Sequence, residues 1–598
     1  MLLAKELDKF KLIIRLSKQA FGKYKLQIII LTVLGFFSGL LGGIGINAII
    51  PLFSFIVGDG QGSDDLISKY IEQFFAYLNI DFTLKYILIF IVLSFLFKTL
   101  VLILFSYISV LITSGYEKQA RNDLLETTMK AAWPYLLKQR LGHLETILLV
   151  NVQYSKALLS QISTTIMTLT NLAVYTLIAV NISFSITVIT FALGGVLFLF
   201  LKPLVYRIRK ISYEQEEINR KISHFINENI VGLKTIKIMS VGDKIFNIGE
   251  QYFDKIRHIN IKSHILSIFS SSLIEPISII FIAVIFAISY KILDFNIAAL
   301  MAVLYLTKQI FIYITNLQQQ LIGMNATVPY LKKVLDYEAQ ASVNKEKNTG
   351  KDHFKFDQSL QFKDVCFNYN SEQEILSKVD FEIKRGALVG LIGSSGAGKT
   401  TVVDLILRLF NPDSGRILLD GKDISGINIE EWRENIGYVS QDIFLMNDTV
   451  ANNIKFYNDS LTQKDIEEAA KITNIYDFIM SSPKGFDAVV GERGVMLSGG
   501  QRQRLIIARI LARKPKLLIL DEATSALDNE SEVKIQQVIE KLKGKITVLA
   551  IAHRLSTVIN SDKLIILGNG KISEQGSPGD LLKDKNSYFF KNYNIRNN

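Results

Sequence analysis

The stretch GSSGAGKTT, residues 393–401, follows the apolar run Ala387–Ile392 and opens a helical pattern at Thr400. Gly393, Gly396 and Gly398 let the backbone turn so that its N–H groups face phosphate oxygens at a helix N-terminus. Lys399 then reaches the β and γ phosphates, and the Thr400 hydroxyl can ligate Mg²⁺. Binding of ATP or GTP follows from this loop alone; the reaction does not. Further residues supply the rest. In "VCFNYN" Tyr369 is suited to stack on an adenine ring. In "IGYVSQD" Gln441 stands at a strand end, where an amide reaches Mg²⁺ and an attacking water. "LSGGQRQR", 497–504, sets a hydroxyl and two glycines ahead of a helix, a second phosphate-facing N-terminus. "KLLILDEATSALD" is a buried strand that empties into Asp521, able to hold Mg²⁺ through water, and Glu522, able to polarise the water that attacks a γ-phosphate. "AIAHRLS" adds His553 just beyond another apolar strand, within reach of the same phosphate.

The elements that position these groups occupy only part of the chain. With 598 residues, 49% of them hydrophobic, and nine prolines, the sequence is too long for one domain and too apolar for an ordinary soluble protein. The apolar excess lies in the first 320 residues or so, and the remainder has the pattern of a soluble α/β domain. Six runs are long enough to span a bilayer, at about 26–57, 85–113, 157–180, 183–205, 265–290 and 296–318. The first lacks a cleavage site and exceeds a signal-peptide core, so it is expected to be a retained anchor.

Lys5, Lys9, Lys11, Arg15, Lys18, Lys23 and Lys25 precede the first run, and Asp59, Asp64, Asp65 and Glu72 follow it. The positive-inside bias therefore puts the N-terminus in the cytoplasm, and six crossings return the C-terminus there. Membrane orientation and anionic lipid account for the net charge of +11, and a nucleic-acid partner is not needed. The excursions 114–156 and 206–264 carry helical spacing, as of transmembrane helices running on past the bilayer, with tips near Gly142–Asn151 and Gly232–Asp243. Cys366 is the one cysteine, so no disulfide or cysteine metal cluster forms within the chain. The polar stretch 338–353 is expected to be a linker between a transmembrane domain, 1–337, and a nucleotide domain, 354–598.

Residues 360–590 resemble the nucleotide-binding domain of ABC transporters, and the whole chain resembles an exporter-type (type IV) half-transporter. The fold this implies is an α-helical polytopic membrane domain of six transmembrane helices fused to an α/β P-loop ATPase domain. The resemblance makes Gly393, Ser394, Ser395, Gly396, Ala397, Gly398, Lys399, Thr400 and Thr401 the Walker A loop and Gln441 the Q-loop. It makes Ser498, Gly499, Gly500 and Gln501 the signature, Asp521 the Walker B carboxylate and Glu522 the catalytic carboxylate. Ser525–Asp528 become the D-loop and His553 the switch histidine; "GERG", 491–494, matches the loop with which such exporters sense the membrane helices. It also implies ATP and Mg²⁺ as cofactors, and a head-to-tail dimer in which Ser498 of one subunit faces the Walker A loop of the other. A homodimer is the simpler form and a heterodimer the alternative. All these positions match the family pattern, so hydrolysis should be competent.

The transported substrate is the least constrained point. Lys98, Glu275 and Lys308 fall near mid-membrane, where charge is costly and faces a cavity or a partner. One account is a structural Lys–Glu pair with a snorkelling lysine; the other is a cavity of net positive charge for an anionic headgroup, opened where Pro276 kinks its helix. "NAIIPLFSFIVGDG…ISKYIEQFFAYLNI" resembles the opening of lipid-linked oligosaccharide flippases. The short tail before the first span is expected to leave no room for the cysteine-peptidase domain of some peptide exporters. The expected function is ATP-driven export or flipping of an amphipathic lipid by alternating access in a bacterial inner membrane. Drug or peptide export, an ATP-gated channel and a non-transporting membrane ATPase are the alternatives.

Overall fold

The computed structural model describes residues 21–48, 52, 66–139, 141–289, 297–369, 374–522, 529–552 and 558–591. The basic residues before Phe21, Asp59, Asp64 and Asp65, Ser525–Asp528 and His553 lie outside the described residues. The chain divides into two compact units, Met1–Ala131 with Tyr135–Lys345 and Ala132–Pro134 with Glu346–Asn598.

The first unit is helical: α1 (Lys25–Asn47), α2 (Leu66–Tyr77), α3 (Leu84–Met129), α4 (Val152–Ile182), α5 (Phe184–Val231), α6 (Gly242–Ser272), α7 (Ile274–Ser289) and α8 (Ile297–Val343). At a rise of 1.5 Å per residue, α3 extends roughly 69 Å, over twice the ~30 Å of a hydrocarbon core. It therefore continues into water, where its sequence turns charged after Tyr116. Among the described residues three helices are long and apolar enough to cross a membrane: Gly22–Gly45, Leu84–Met129 and His143–Ile182. The other three expected spans fall on α5, on α6 with α7, and on α8. Only 11% of the apolar window of α3 is buried, and such outward-facing surface is stable in lipid and a liability in water.

α1 packs on α3 and α4, and α4 on α8. α1 meets α4 through small residues: a Cβ on Gly35 would sit 2.6 Å from Thr170 Oγ1, and one on Gly39 2.8 Å from Asn171 Oδ1. Such glycines let backbones approach where lipid offers no hydrophobic driving force. Polar side chains join α4 to α8, where Gln320 Nε2 donates to Thr168 Oγ1 (2.9 Å) and Thr327 Oγ1 to Gln161 Oε1 (3.3 Å). α6 stops at Ser272 and α7 starts at Ile274, with Leu273 between them still in helical conformation (φ −72°, ψ −27°), so the interruption lies three residues ahead of Pro276. Proline there lacks an N–H and its ring crowds the carbonyl four residues back, at Ser272. The stretch 338–343, expected to be linker, instead continues α8 to Val343. Ala341 is fully buried, so packing holds this polar segment helical.

The second unit has two sheets. An antiparallel sheet has the order β2-β1-β4-β5, with β1 (Ser359–Phe367), β2 (Leu376–Lys384), β4 (Ser414–Leu419) and β5 (Lys422–Asp423). The larger sheet has the order β10-β9-β3-β8-β7-β6, with β3 (Leu388–Gly393), β6 (Ile436–Val439), β7 (Leu517–Asp521), β8 (Thr547–Ile551), β9 (Lys563–Gly568) and β10 (Lys571–Gly576). Its pairs β9/β3, β3/β8, β8/β7 and β7/β6 are parallel, which explains the unbroken apolar runs. Alternate residues serve opposite faces. Leu517 and Ile519 pack with Phe362 and Trp432 in one core, whereas Leu518 and Leu520 join a second with Ile507 and Val538. Side chains buried this fully contribute roughly 1.5–3 kcal/mol each. Three helices frame the site: α9 (Lys399–Ile406), α10 (Gly499–Leu511) and α11 (Asn529–Leu542).

Candidate functional site

β3, β6, β7 and β8 are parallel neighbours, so the segments leaving their C-terminal ends share one edge of the sheet, where open α/β sheets bind ligands. β3 delivers Gly393–Gly398, β6 Gln441, and β7 Asp521 and Glu522. Gly398, with φ of 102°, is the N-cap of α9. That left-handed conformation and the nearby Leu376 Cδ2, 2.7 Å from any added Cβ, require glycine. A Cβ on Gly393 would overlap the Leu567 carbonyl. Ser394, Ser395, Gly396 and Thr400 are exposed, and Ala397 and Thr401 are buried. Lys399 is buried, its Nζ donating to the Gly393 and Ser394 carbonyls, each at 3.0 Å. Burial pushes its ammonium below the ordinary lysine value, and Glu522 and Asp521 oppose that shift. A concave backbone at a helix N-terminus with a buried cation fits a polyphosphate. The Thr400 hydroxyl and Asp521 carboxylate are hard oxygen donors of the kind Mg²⁺ takes.

Gln441 Nε2 donates to Glu522 Oε2 at 2.9 Å, so β6 and β7 bring together the two groups assigned from sequence to water activation. Glu522 adopts φ of 49°, a left-handed conformation that costs a non-glycine residue about 1–3 kcal/mol and that clusters at functional sites. Its N–H donates to the Ile551 carbonyl at the end of β8, which holds that turn. Two neighbours escaped the sequence reading. Tyr438 donates from its hydroxyl to Asp521 Oδ2 at 3.3 Å, and burial raises its phenol pKa well above the usual value. Asp404 is raised by burial, with the Tyr369 bond opposing. The available signal was a hydroxyl and a carboxylate inside otherwise apolar segments. Tyr369 has its ring edge-on to Phe367 and Phe410, and its hydroxyl contacts Thr401 Oγ1 and Asp404 Oδ2, each at 3.2 Å. The ring is 45% exposed, which leaves surface for an aromatic ligand.

Ser498 is the N-cap of α10. Its hydroxyl accepts from the Gln501 N–H, while Gln501 Oε1 accepts from the Ser498 N–H at 2.8 Å. This capping box, spelled S-x-x-Q in the sequence, fixes both side chains locally. Any Cβ on Gly500 would overlap the Ser531 hydroxyl of α11. Gly491 and Gly494 take positive φ at no cost, and Arg493 between them, with φ of 52°, is the strained residue of the GERG turn. Arg509 on α10 is buried, donates to the Asn453 and Phe444 carbonyls at 2.7 and 2.8 Å, and lies 4.4 Å from the Phe456 ring centroid.

The sequence model described as the ABC transporter matches residues 376–525, and that of the ABC transporter transmembrane region matches 28–323. An ATP-dependent lipid A-core flippase of Saccharophagus degradans is 35% identical over 66% of this chain and 67% of its own. A putative multidrug export ATP-binding/permease protein, YgaD of Bacillus subtilis, is 34% identical over 67% of this chain and 70% of its own. The chain belongs to the ABC transporter family. The structure of a bacterial Atm1-family ABC exporter with ATP bound shares its fold, with a TM-score of 0.79 and 23% identity over 96% of this chain and 99% of the other. This ABC transporter is thus an integral membrane protein with an exporter fold, and it binds and hydrolyses ATP.

Within the transporter's helical unit, Lys98 on α3 reaches α1. Its Nζ and the Tyr175 hydroxyl of α4 each lie 2.6 Å from where a Cβ on Gly42 would sit. Tyr175 in turn faces Tyr313 of α8, ring centroids 5.3 Å apart. Lys308 is exposed, and the Glu275 side chain lies outside the described residues. The expected tips are short elements: a helix at Leu141–Glu145 followed by a π-helical turn at Thr146–Asn151, and a helix at Leu233–Ile238. Asn151 is fully buried with both amide atoms unpartnered among the described residues.

Proposed function

We propose that this chain is an ATP-driven exporter or flippase of an amphipathic lipid with an anionic headgroup, such as a lipid-linked oligosaccharide, working by alternating access in a homodimer. The observation that carries the substrate class is Lys98, placed at membrane depth over a glycine and beside the Tyr175 hydroxyl. A cation at that depth is costly and is held by protein groups or by an anion. The Phe95 ring 5.7 Å away is a weak partner, and no carboxylate is paired with Lys98 among the described residues, which favours an anionic headgroup. The lipid A-core flippase relative favours the same class, and the multidrug relative keeps drug export as the second reading.

Six crossings leave both termini in the cytoplasm of a bacterial inner membrane, with the first domain running to the end of α8 at Val343, the linker shortened to 344–353, and the nucleotide domain at 354–598. Two ATP bind between cassettes, each held by Tyr369, Gly393–Thr401 and the facing subunit's signature segment. Thr400, Gln441 and Asp521 would hold Mg²⁺, which would supply charge neutralisation to the polyphosphate. Glu522 polarises the attacking water, Gln441 orients it, and His553 contacts the γ-phosphate. ATP shifts the transporter from inward- to outward-facing because it binds the closed state more tightly, and hydrolysis resets it. The tips at Gly142–Asn151 and Gly232–Asp243 carry the motion between domains.

The test is ATPase activity of the reconstituted chain against lipid-linked oligosaccharides, lipid A-like lipids, peptides and cationic drugs, with Lys98→Ala alongside. Stimulation by one anionic lipid class, lost in Lys98→Ala, supports the proposal. Stimulation by drugs or peptides alone overturns the lipid assignment.

A further inference from the structure

The hairpin of α5 and α6 carries a groove of about 730 Å³ whose lining includes none of the residues assigned to ATP. Arg207 and Lys210 enter it from α5, and His258 and Lys262 from α6. Gln215 Nε2 donates to Asn260 Oδ1 at 3.0 Å, which fixes the two helices at this level. One carboxylate, Glu214, lines the groove. Among the described residues, none of the four basic side chains has a carboxylate within 4.0 Å. Arg207, Lys210 and Lys262, cations that are neither paired nor buried, do not stabilise the hairpin; they repel one another.

The position supplies the reason for them. The apolar run on α5 ends at about 205, just before Arg207, and the next begins at about 265, just after Lys262. The basic groups therefore sit within about two turns of the hydrocarbon, Arg207 and Lys262 within one, at headgroup depth. Ile261 and Ile265, 44% and 60% exposed, extend the groove toward the membrane, so one ligand can contact charge and apolar surface together. Basic pockets between helices at a cytoplasmic interface suit phosphate headgroups, and each Lys or Arg near an anionic surface contributes appreciably.

We propose that this groove binds the phosphate headgroup of an anionic lipid from the cytoplasmic leaflet, with Arg207, Lys210 and Lys262 on the phosphate and Ile261 and Ile265 against the glycerol and upper acyl chain. The leaflet rests on the orientation proposed above; the chemistry of the site does not.

The full-length chain in detergent is titrated with phosphatidylglycerol or with phosphatidylcholine of the same acyl chains, and bound lipid is counted by native mass spectrometry. Phosphatidylglycerol should bind more tightly. Arg207→Ala with Lys262→Ala should weaken it roughly 25-fold, at about fivefold per charge removed, with phosphatidylcholine and ATP binding unchanged. Arg207→Lys with Lys262→Arg keeps the charges and should restore binding, which separates loss of the site from loss of the fold. Equal phosphatidylglycerol binding by wild type and the alanine pair overturns the proposal. Binding of inorganic phosphate alone as tightly as phosphatidylglycerol, with no gain from the acyl chains, overturns the lipid as occupant in favour of a free anion. Orientation is read separately, from labelling of Lys262→Cys in a Cys366→Ser chain by a membrane-impermeant maleimide. Labelling from the side opposite to ATP contradicts the orientation while leaving the binding result intact.

Discussion

Arg509→Met keeps most of the side-chain volume of α10 and removes the guanidinium. The Asn453 and Phe444 carbonyls then lose charged donors at 2.7 and 2.8 Å. Asn453 Oδ1 loses a third but keeps the Met446 N–H at 3.0 Å, so the buried Asn453 carbonyl is stranded, while the Phe444 carbonyl, on an exposed residue, is left to water. A stranded buried acceptor costs about 1–3 kcal/mol, and the lost contact with the Phe456 ring adds up to ~2 kcal/mol. Relief from burying a charge offsets part of this, since burial already depresses Arg509 to about 10. The net expectation is destabilisation of the cassette by about 3 kcal/mol. For a domain of about 250 residues that lowers the Tm by roughly 6–12 °C. The assay is thermal unfolding of the full chain, followed at the transition that ATP shifts upward. Because Phe444 lies three residues beyond Gln441, the ATPase rate should also fall at temperatures where the cassette is still folded. A Tm within about 2 °C of wild type would mean that water satisfies both carbonyls, and the claim that Arg509 ties α10 to the Gln441 segment would be wrong.

Three further outcomes are expected. Gly42→Ala places a Cβ 2.6 Å from both Lys98 Nζ and the Tyr175 hydroxyl, so lipid-stimulated ATPase should drop severalfold with basal ATPase little changed; equal loss of both points to misfolding of α1 instead. Gly500→Ala should inactivate ATP hydrolysis by overlap with Ser531, and Ser531→Gly should rescue it in part; failure of rescue assigns the glycine to the nucleotide rather than to α11. His143, near the first tip, is held below its ordinary value by burial, then by Arg220 and Lys333. The unfolded state then binds more protons, so stability is present above the ordinary histidine pKa of 6.5 and is lost as pH falls below it. Wild-type lipid-stimulated ATPase should decline between about pH 6.5 and 5.5 more steeply than that of His143→Gln; parallel profiles exclude His143 as the cause.

The cassette was legible because β3, β7 and β8 are buried on both faces and read as continuous apolar runs that end at residues of a different type. Leu517–Leu520 emptying into Asp521 is the plainest case. Backbone conformation was not legible: nothing in "LLILDEAT" announces φ of 49° at Glu522, because tertiary bonding such as that to Ile551 imposes it. Ser498 and Gln501 spelled a capping box that a phosphate-centred view passed over. In the membrane unit the apolar runs marked helices but not their partners. Gly35 and Gly39, four residues apart, carried the signal for the α1–α4 approach. The segment 338–343 looked like linker because a solvated helix end lacks apolar periodicity, and only packing around Ala341 reveals it.

The central claim is that this chain alone, as a homodimer, uses ATP hydrolysis to move an anionic amphiphile. The most direct measurement is ATP-dependent translocation of a fluorescent lipid-linked oligosaccharide in proteoliposomes containing only this chain, compared with Glu522→Gln. Translocation against the lipid gradient, dependent on ATP and abolished in Glu522→Gln despite retained ATP binding, is the expected result. Translocation that proceeds equally in Glu522→Gln, or none at all while ATP is hydrolysed, contradicts it.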